Sequence, residues 1–182
     1  EYFPADEKHP TNPVSPYGIT KLTIEKYLFF YKNEYGLNHT ILRYANVYGP
    51  RQNPFGEAGV VAIFTSKLLK NDNWIINGEG KQTRDYVFVE DVVKANVITL
   101  NSNSSDIYNV GTNVETSVNE LFAKLNEIAG VKAIEKHGPA PKGEQARSVI
   151  TSDKLFNKFN WKPSIQIDEG LRKTFDYFKS NI

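Results

Sequence analysis

The sequence predicts an α/β protein, because short β-branched apolar segments alternate with helical patterns along its 182 residues. The strand pattern is clearest at residues 39–47, 86–89 and 106–110, where runs of Val, Ile and Tyr are bounded by glycine or polar residues. Two helix starts carry strong local signals, namely Ser15-Pro16 and the capping box Ser117-x-x-Glu120. Alternation of this kind favours parallel strands joined by helices.

The first half of the chain is dominated by one long helix. Residues 1–16 hold four prolines and are expected to form an extended loop. A helix is predicted over 16–35, with Gly36 ending it. Its apolar residues occupy two faces, so we expect both faces to be buried, either inside one domain or against a partner subunit. The patterns then predict a strand at 39–47, a helix at 60–70 and a short strand at 74–76.

The second half continues the alternation. The patterns predict a strand at 86–89, a helix at 90–100, a strand at 106–110, a helix at 121–129, an extended segment at 131–150, and two final helices ending at Phe159 and Lys179. Thr151 or Ser152 is expected to cap the first of these two helices, and Asp168 the second.

Composition narrows the classes of function. A formal net charge of +1 gives no reason to expect nucleic-acid binding. The absence of cysteine excludes disulfides and thiolate chemistry, which fits a cytoplasmic protein. No apolar run approaches the roughly 20 residues of a membrane helix, so no membrane partner is expected. The three histidines are scattered, and no metal site is predicted.

Tyr17 and Lys21 are the first candidates for chemistry. They are four residues apart on the predicted helix, so their side chains project from one face, a turn apart. An ammonium close to a phenol favours the phenolate, which is the form that a general base needs. A core tyrosine beside an exposed lysine would give the same spacing, so this pair alone does not establish a site.

Four sequence blocks surround and follow this pair. They are PVSPYGITK at 13–21, RYANVYGPRQ at 43–52, GEAGVVAIF at 56–64 and GEGKQTRDYVFVEDV at 78–92. In this order and spacing they resemble the extended short-chain dehydrogenase/reductase superfamily and, within it, the NAD-dependent epimerase/dehydratase family, closest to the UDP-glucose 4-epimerases. The resemblance covers nearly the whole chain from about Lys8 onward.

The resemblance implies a role for particular residues. Tyr17 matches the catalytic tyrosine, and Lys21 matches the lysine that holds the nicotinamide ribose of NAD. Tyr44 lies where the family places an aromatic residue beside the nicotinamide. For the UDP-sugar, Asn46 matches a contact to the phosphates. The other implied nucleotide contacts are Gly59 and Val60, the base-packing segment Ile75, Ile76 and Asn77, and two arginines on the diphosphate, Arg84 and Arg147.

The resemblance also implies a domain organisation. Residues 1–49 and 84–115 would belong to a doubly wound parallel sheet of the Rossmann type, interleaved with a small nucleotide-sugar-binding domain at 50–83 and 116–182. The glycine fingerprint of a dinucleotide-binding fold does not occur in this chain, and only 16 residues precede Tyr17. We therefore expect a C-terminal fragment that lacks the first half of the sheet and is inactive alone.

The implied reaction of the whole protein is the interconversion of UDP-glucose and UDP-galactose through a 4-keto intermediate and bound NAD. The implied assembly is a homodimer through the helix at 16–35. A dehydratase or decarboxylase of the same superfamily is the second interpretation, although Ser15-Pro16 stands where dehydratases usually have an acidic residue. A third interpretation is a binding module that takes the sugar nucleotide without NAD.

Overall fold

A computed structural model describes residues 1–55, 59–72, 74–103, 105–140, 143 and 145–181. Within these residues the helices are α1 (Pro16–Tyr35), α2 (Val60–Leu69), α3 (Val89–Thr99), α4 (Val118–Ala129), α5 (Asp153–Phe159) and α6 (Ile167–Asn181). The strands are β1 (Thr40–Tyr44), β2 (Asn46–Tyr48), β3 (Ile76–Asn77), β4 (Thr83–Arg84), β5 (Tyr86–Phe88), β6 (Asp106–Val110), β7 (Thr116–Ser117), β8 (His137–Gly138) and β9 (Arg147–Ser148). None of the described helices is both long and apolar enough to cross a bilayer.

The predicted α/β class is confirmed, because parallel strand pairs are joined by helices. β1 pairs with β6, β2 with β5, β3 with β8 and β4 with β9, each in parallel, while β7 joins β4 antiparallel. The segment 131–150, predicted to be extended, supplies the short strands β8 and β9. The strand predicted at 74–76 is displaced to Ile76–Asn77.

The strand predicted as one piece at 39–47 is divided at Ala45, which corrects the sequence prediction. Before this point Tyr44 pairs with Val110, and after it Asn46 pairs with Tyr86. The Ala45 amide donates to the Val110 carbonyl at 2.9 Å, and the Asn46 amide donates to the Asp85 carbonyl at 2.8 Å. The segment thus changes its hydrogen-bonding partner within one residue. Tyr44 and Asn46 remain two residues apart in an extended chain and therefore share a face.

Helix α1 has the predicted bounds because a capping residue begins it and a glycine ends it. The Ser15 side chain accepts a hydrogen bond from the Gly18 amide at 3.1 Å, and Pro16 occupies the first helical position. Gly36 ends the helix at a φ of 67°, a left-handed conformation that glycine adopts without strain.

No residue of α1 is buried in the described chain, so the helix is not buried inside one domain here, and its burial against a partner subunit stays a prediction. Its aromatic residues include Phe29 at 64% exposure and Tyr35 at 69%. The physical reason is that α1 lies along one wall of an open groove and not between two packed layers.

One core cluster lies between α2, α4, α6 and the short strands. At its centre the rings of Trp74 and Phe122 stack with centroids 3.9 Å apart, and Phe64 meets Trp74 edge-on at 4.9 Å. Such contacts contribute roughly 0.5–1.5 kcal/mol each beyond the burial of area. The other buried members are Tyr48, Val61, Ile76, Tyr86, Phe88, Val118, Leu121, Leu125 and Leu171.

A second cluster lies between β5, β6, α3 and α5. Its buried members are Val87, Val92, Ala95, Tyr108, Val110, Leu155 and Trp161. Asp91 joins α3 to the segment after α5, because its carboxylate accepts hydrogen bonds from the Ser164 hydroxyl at 2.6 Å and the Ile165 amide at 3.0 Å. Leu155 and Trp161 therefore pack beside the strands of the region predicted as Rossmann-type. The domain boundaries proposed from the sequence stay a prediction.

The turn before β4 requires glycine at position 80. Gly80 has a φ of 69°, and a Cβ placed there would lie 1.6 Å from Oδ1 of Asn119. Asn119 cannot easily withdraw, because its side-chain amide donates to the Glu79 carbonyl at 2.9 Å. We expect Gly80→Ala to lower stability by more than the about 1–2 kcal/mol that a left-handed alanine costs.

Gly130→Ala is the matched control for this substitution. Gly130 has a φ of 67°, and a Cβ there would meet nothing within 4 Å. Denaturant unfolding of both variants separates the clash from the backbone strain. Equal losses of stability in the two variants would show that the contact with Asn119 is unimportant.

Candidate functional site

A groove of about 810 Å³ runs between α1 and the β1–β2 segment. It brings together the residues predicted to act on the substrate and to hold the nicotinamide end of NAD, namely Tyr17, Lys21 and Tyr44. Asn46, predicted to contact the phosphates, lies on the same wall as Tyr44. The groove is thus built from one face of a helix and one face of the neighbouring strand.

Tyr17 and Lys21 face the same side of α1, as the four-residue spacing predicts. The Lys21 ammonium nitrogen lies 5.2 Å from the centroid of the Tyr17 ring. Tyr17 is 66% exposed, so its phenol is open to a ligand in the groove. The two groups are therefore adjacent and accessible, which a proton-transferring pair requires.

An ion pair attaches α1 to β1 in the wall of this groove. The Arg43 guanidinium donates to both carboxylate oxygens of Glu25, from Nε at 2.8 Å and from Nη2 at 2.6 Å. The hydrogen bonding with Glu25 raises the pKa of Arg43 above its ordinary value. A third bond runs from Arg43 to the Glu7 carbonyl at 3.3 Å. Because Glu25 lies one turn beyond Lys21, this pair sets the position of the helix face that carries Tyr17.

Tyr44 is oriented by a contact with α3. Its hydroxyl donates to Oδ1 of Asn96 at 2.9 Å, while its ring remains 45% exposed on the groove. The Asn96 amide in turn donates to the Val92 carbonyl at 2.8 Å, which fixes the direction of the acceptor. A flat aromatic surface is thereby presented opposite Tyr17, in a position suited to a planar ring.

A second pocket, of about 510 Å³, continues from the first. It brings together six of the eight residues predicted for the nucleotide sugar, which are Asn46, Gly59, Val60, Ile75, Asn77 and Arg84. Ile76, predicted to pack against the base, is instead buried in the first core cluster. Gly59 is the N-cap of α2. Because glycine has no side chain, it makes no capping hydrogen bond to the first amides of the helix. Such amides, together with the helix dipole, favour an anion.

The two pockets meet at Asn46 and Gly59, which line both of them. Gln52 packs against Gly59 at this junction, and a Cβ on Gly59 would lie 2.5 Å from Nε2 of Gln52. That nitrogen is held in place by a 3.0 Å hydrogen bond to the Val47 carbonyl. Only glycine therefore fits at this point without displacing the Gln52 side chain.

Asp85 explains why Arg84 faces the second pocket. Its buried carboxylate points to the opposite side of the strand, where it accepts hydrogen bonds from the Thr112 hydroxyl at 2.6 Å and the Thr112 amide at 2.9 Å. Burial raises the pKa of Asp85 above its ordinary value. Because side chains alternate along an extended chain, Arg84 and Tyr86 on either side of Asp85 point into the pocket.

Arg147, the second predicted diphosphate arginine, lies outside this pocket. β4 and β9 pair so that Arg147 is beside Thr83, and Thr83 faces the side opposite to Arg84. The Arg147 guanidinium donates to both oxygens of Glu115 at 2.6 and 3.0 Å, and the Thr83 hydroxyl donates to the same carboxylate. Hydrogen bonds from Arg147 and then Thr83 lower the pKa of Glu115 to about 2. The structure therefore does not bring Arg147 together with Arg84.

Lys67, Gln82 and Tyr86 line the second pocket but are absent from the predicted set. The helical period could have indicated Lys67, since it lies seven residues after Val60 and so on the same face of α2. Tyr86 is buried, and its hydroxyl has no partner within the described residues. Residues 56–58 of the third sequence block lie outside the described part of the chain.

Comparisons with known proteins identify the family of this chain. Residues 1–111 match the model of the NAD dependent epimerase/dehydratase family, so the chain belongs to that family. A relative from Methanocaldococcus jannaschii with a provisional UDP-glucose 4-epimerase name is 46% identical over 180 residues, which cover 99% of this chain and 58% of the relative. The UDP-glucose 4-epimerase of Mycolicibacterium smegmatis is 41% identical over 179 residues, which cover 98% of this chain and 57% of the relative.

Solved structures give the same result for the fold. The Thermotoga maritima UDP-glucose 4-epimerase, crystallised with UDP-glucose, superposes with a TM-score of 0.97 at 45% identity, over all of this chain and 59% of that one. The Thermus thermophilus UDP-glucose 4-epimerase in complex with NAD superposes with a TM-score of 0.90 at 39% identity, over 98% of this chain and 58% of that one. The Rossmann-type fold class predicted from the sequence is thereby confirmed, and so is NAD as the cofactor of the family. The chain spans less than two thirds of the length of these proteins.

Proposed function

We propose that the whole protein containing this chain interconverts UDP-glucose and UDP-galactose. The observation that carries the proposal is the junction of the two pockets at Asn46 and Gly59. One pocket holds a tyrosine and a lysine suited to proton transfer, and the other holds an arginine suited to a diphosphate. A nucleotide sugar lying across the junction would place its sugar beside Tyr17 and its nucleotide in the second pocket.

The first pocket also fits the nicotinamide end of NAD. Lys21 offers a cationic donor for ribose hydroxyls, and Tyr44 offers an exposed aromatic face. NAD, when bound, supplies the acceptor for the hydride that leaves the sugar, which no side chain can provide. Because the chain has no glycine fingerprint, we propose that the rest of NAD is held by a part of the whole protein beyond these residues.

Tyr17 in its phenolate form takes the proton of the sugar 4-hydroxyl, and C4 becomes a ketone as its hydride departs. The 4-keto sugar then turns about its bond to the diphosphate, so that the hydride returns to the opposite face and Tyr17 gives the proton back. Asn46 and Arg84 hold the diphosphate throughout. This division of binding leaves the sugar free to turn while the nucleotide stays fixed.

The direct test is to incubate the whole NAD-bound protein with UDP-glucose and to follow the appearance of UDP-galactose by NMR. We expect an equilibrium mixture of the two sugars with no net change of redox state. Release of a dehydrated 4-keto product would instead favour the dehydratases of the same family. Binding of UDP-glucose without any conversion would favour the binding module.

We further propose that the whole protein is a homodimer through α1. Exposed apolar side chains such as Phe29 and Phe30 lie on this helix outside the groove, and exposed apolar surface of this kind often marks an interface. Phe29→Asp places a charge in that surface and is expected to produce monomers on a sizing column. An unchanged dimer would show that this face is not the interface.

A further inference from the structure

The charge of the nucleotide pocket points to a ligand with more than one negative charge. Among the described residues that line it, Lys67 and Arg84 are cationic and none is a carboxylate. A cleft lined only by positive charges raises the local concentration of anions and strengthens their binding. The pocket thus contains two positive side chains, although only one of them was expected from the sequence.

Lys67 is placed to reach a ligand along the length of the pocket. It lies two turns beyond Val60 on the same face of α2, a rise of about 10 Å along the helix axis. Ile63 and Phe64 fill the face between them and form an apolar floor. The Lys67 side chain is partly buried, and it makes no hydrogen bond or ion pair within the described residues. Among the described residues its ammonium therefore has no partner, and it lies beside an apolar wall.

Arg147 is the contrasting case. Its guanidinium is bound by both oxygens of Glu115, on the side of the β4–β9 pair that faces away from Arg84. To reach the pocket it would have to break a bidentate ion pair and cross its own strand. Within the part of the chain that the structure describes, the two positive charges in the pocket are those of Arg84 and Lys67.

We infer that Lys67, and not Arg147, is the second cation that binds the diphosphate of the nucleotide sugar. This inference rests on the proposed function, which supplies the diphosphate. Arg84 presents a rigid fork from a strand, whereas Lys67 acts as a mobile point charge from the facing helix. A diphosphate held between strand and helix is neutralised from two sides.

The test compares three variants of the whole NAD-bound protein by titration calorimetry with UDP. Lys67→Met retains the length and apolar stem of the side chain but removes the charge, and we expect it to weaken UDP binding by roughly 10- to 100-fold. Lys67→Arg should restore most of the affinity. Lys70→Met is the matched control. Lys70 lies on the adjoining turn and outside the pocket, with its Nζ 5.4 Å from the centroid of the Phe55 ring. This variant should bind UDP as the unaltered protein does.

Uridine provides the second readout, because it lacks the diphosphate. Lys67→Met should bind uridine as tightly as the unaltered protein, and the dependence of UDP affinity on salt should become less steep. Unchanged UDP affinity in Lys67→Met, or an equal loss for UDP and uridine, would overturn the inference. A protein that binds UDP through Lys67 but does not epimerise UDP-glucose would contradict the proposed function alone.

Discussion

Replacing Tyr17 by phenylalanine in the whole protein is expected to lower kcat by about 10²- to 10⁴-fold, the usual contribution of a positioned general acid or base. The substitution removes the hydroxyl that would accept the sugar proton but leaves the ring beside Lys21. The nucleotide pocket does not include Tyr17, so the Kd for UDP-glucose should change little. Steady-state rates and calorimetry on the same preparation separate these two effects.

Tyr27→Phe is the matched control for Tyr17→Phe. Tyr27 lies on the same helix and is 61% exposed, but it is not a lining residue of the groove. It should retain the activity of the unaltered protein. If Tyr17→Phe also keeps nearly full epimerase activity, Tyr17 is not the group that moves the proton.

Arg84→Gln is expected to weaken the binding of UDP and UDP-glucose by roughly 10- to 100-fold, since a charge-assisted hydrogen bond to phosphate contributes more than a neutral one. Glutamine keeps part of the side-chain length and some donor capacity, while the charge and the guanidinium fork are lost. The neighbouring Asp85 is held in place by its hydrogen bonds from Thr112 and does not depend on the Arg84 side chain, so the fold should be retained. Calorimetry with UDP measures the effect.

Arg147→Gln is the informative comparison for Arg84→Gln. The family resemblance implies that both arginines contact the nucleotide, whereas the structure commits Arg147 to Glu115 on the other side of the strand pair. We expect Arg147→Gln to bind UDP with little change. A larger loss of affinity in Arg147→Gln than in Arg84→Gln would contradict the placement of these two side chains relative to the ligand.

The elements that the sequence predicted well are those whose signals are local. The bounds of α1 follow from Ser15, Pro16 and Gly36, all within a few residues of its ends. The predicted capping box is confirmed, because Ser117 and Glu120 bond each other's backbone amides, although α4 begins at Val118 and not at the predicted Leu121. Cap residues act through bonds that span only three positions, so they can be identified without knowledge of the tertiary structure.

The features that the sequence did not predict depend on distant segments. The change of strand partner at Ala45 is set by β5 and β6, which lie much further along the chain. The side of the sheet on which Arg147 lies is set by its register with Thr83. A shift of one residue in that register would have placed Arg147 on the side of Arg84. The final helix also begins at Ile167, so Asp168 lies in its first turn rather than at its cap.

The agreement for the six nucleotide-pocket residues has a different origin. Asn46, Gly59, Val60, Ile75, Asn77 and Arg84 come from four separated elements. No periodicity or spacing within the chain brings these elements together, so that part of the prediction depended on the family resemblance. The structure adds Lys67, whose position on the face of α2 follows from the helical repeat alone.

The mechanism proposed for the whole protein can be tested most directly with UDP-galactose deuterated at C4. If the hydrogen on C4 leaves and returns as a hydride to the same sugar, while Tyr17 moves only the proton of the 4-hydroxyl, the UDP-glucose that forms should retain its deuterium at C4, and none should exchange with water. Loss of the deuterium to solvent, or formation of UDP-glucose at the same rate in Tyr17→Phe, would contradict the mechanism.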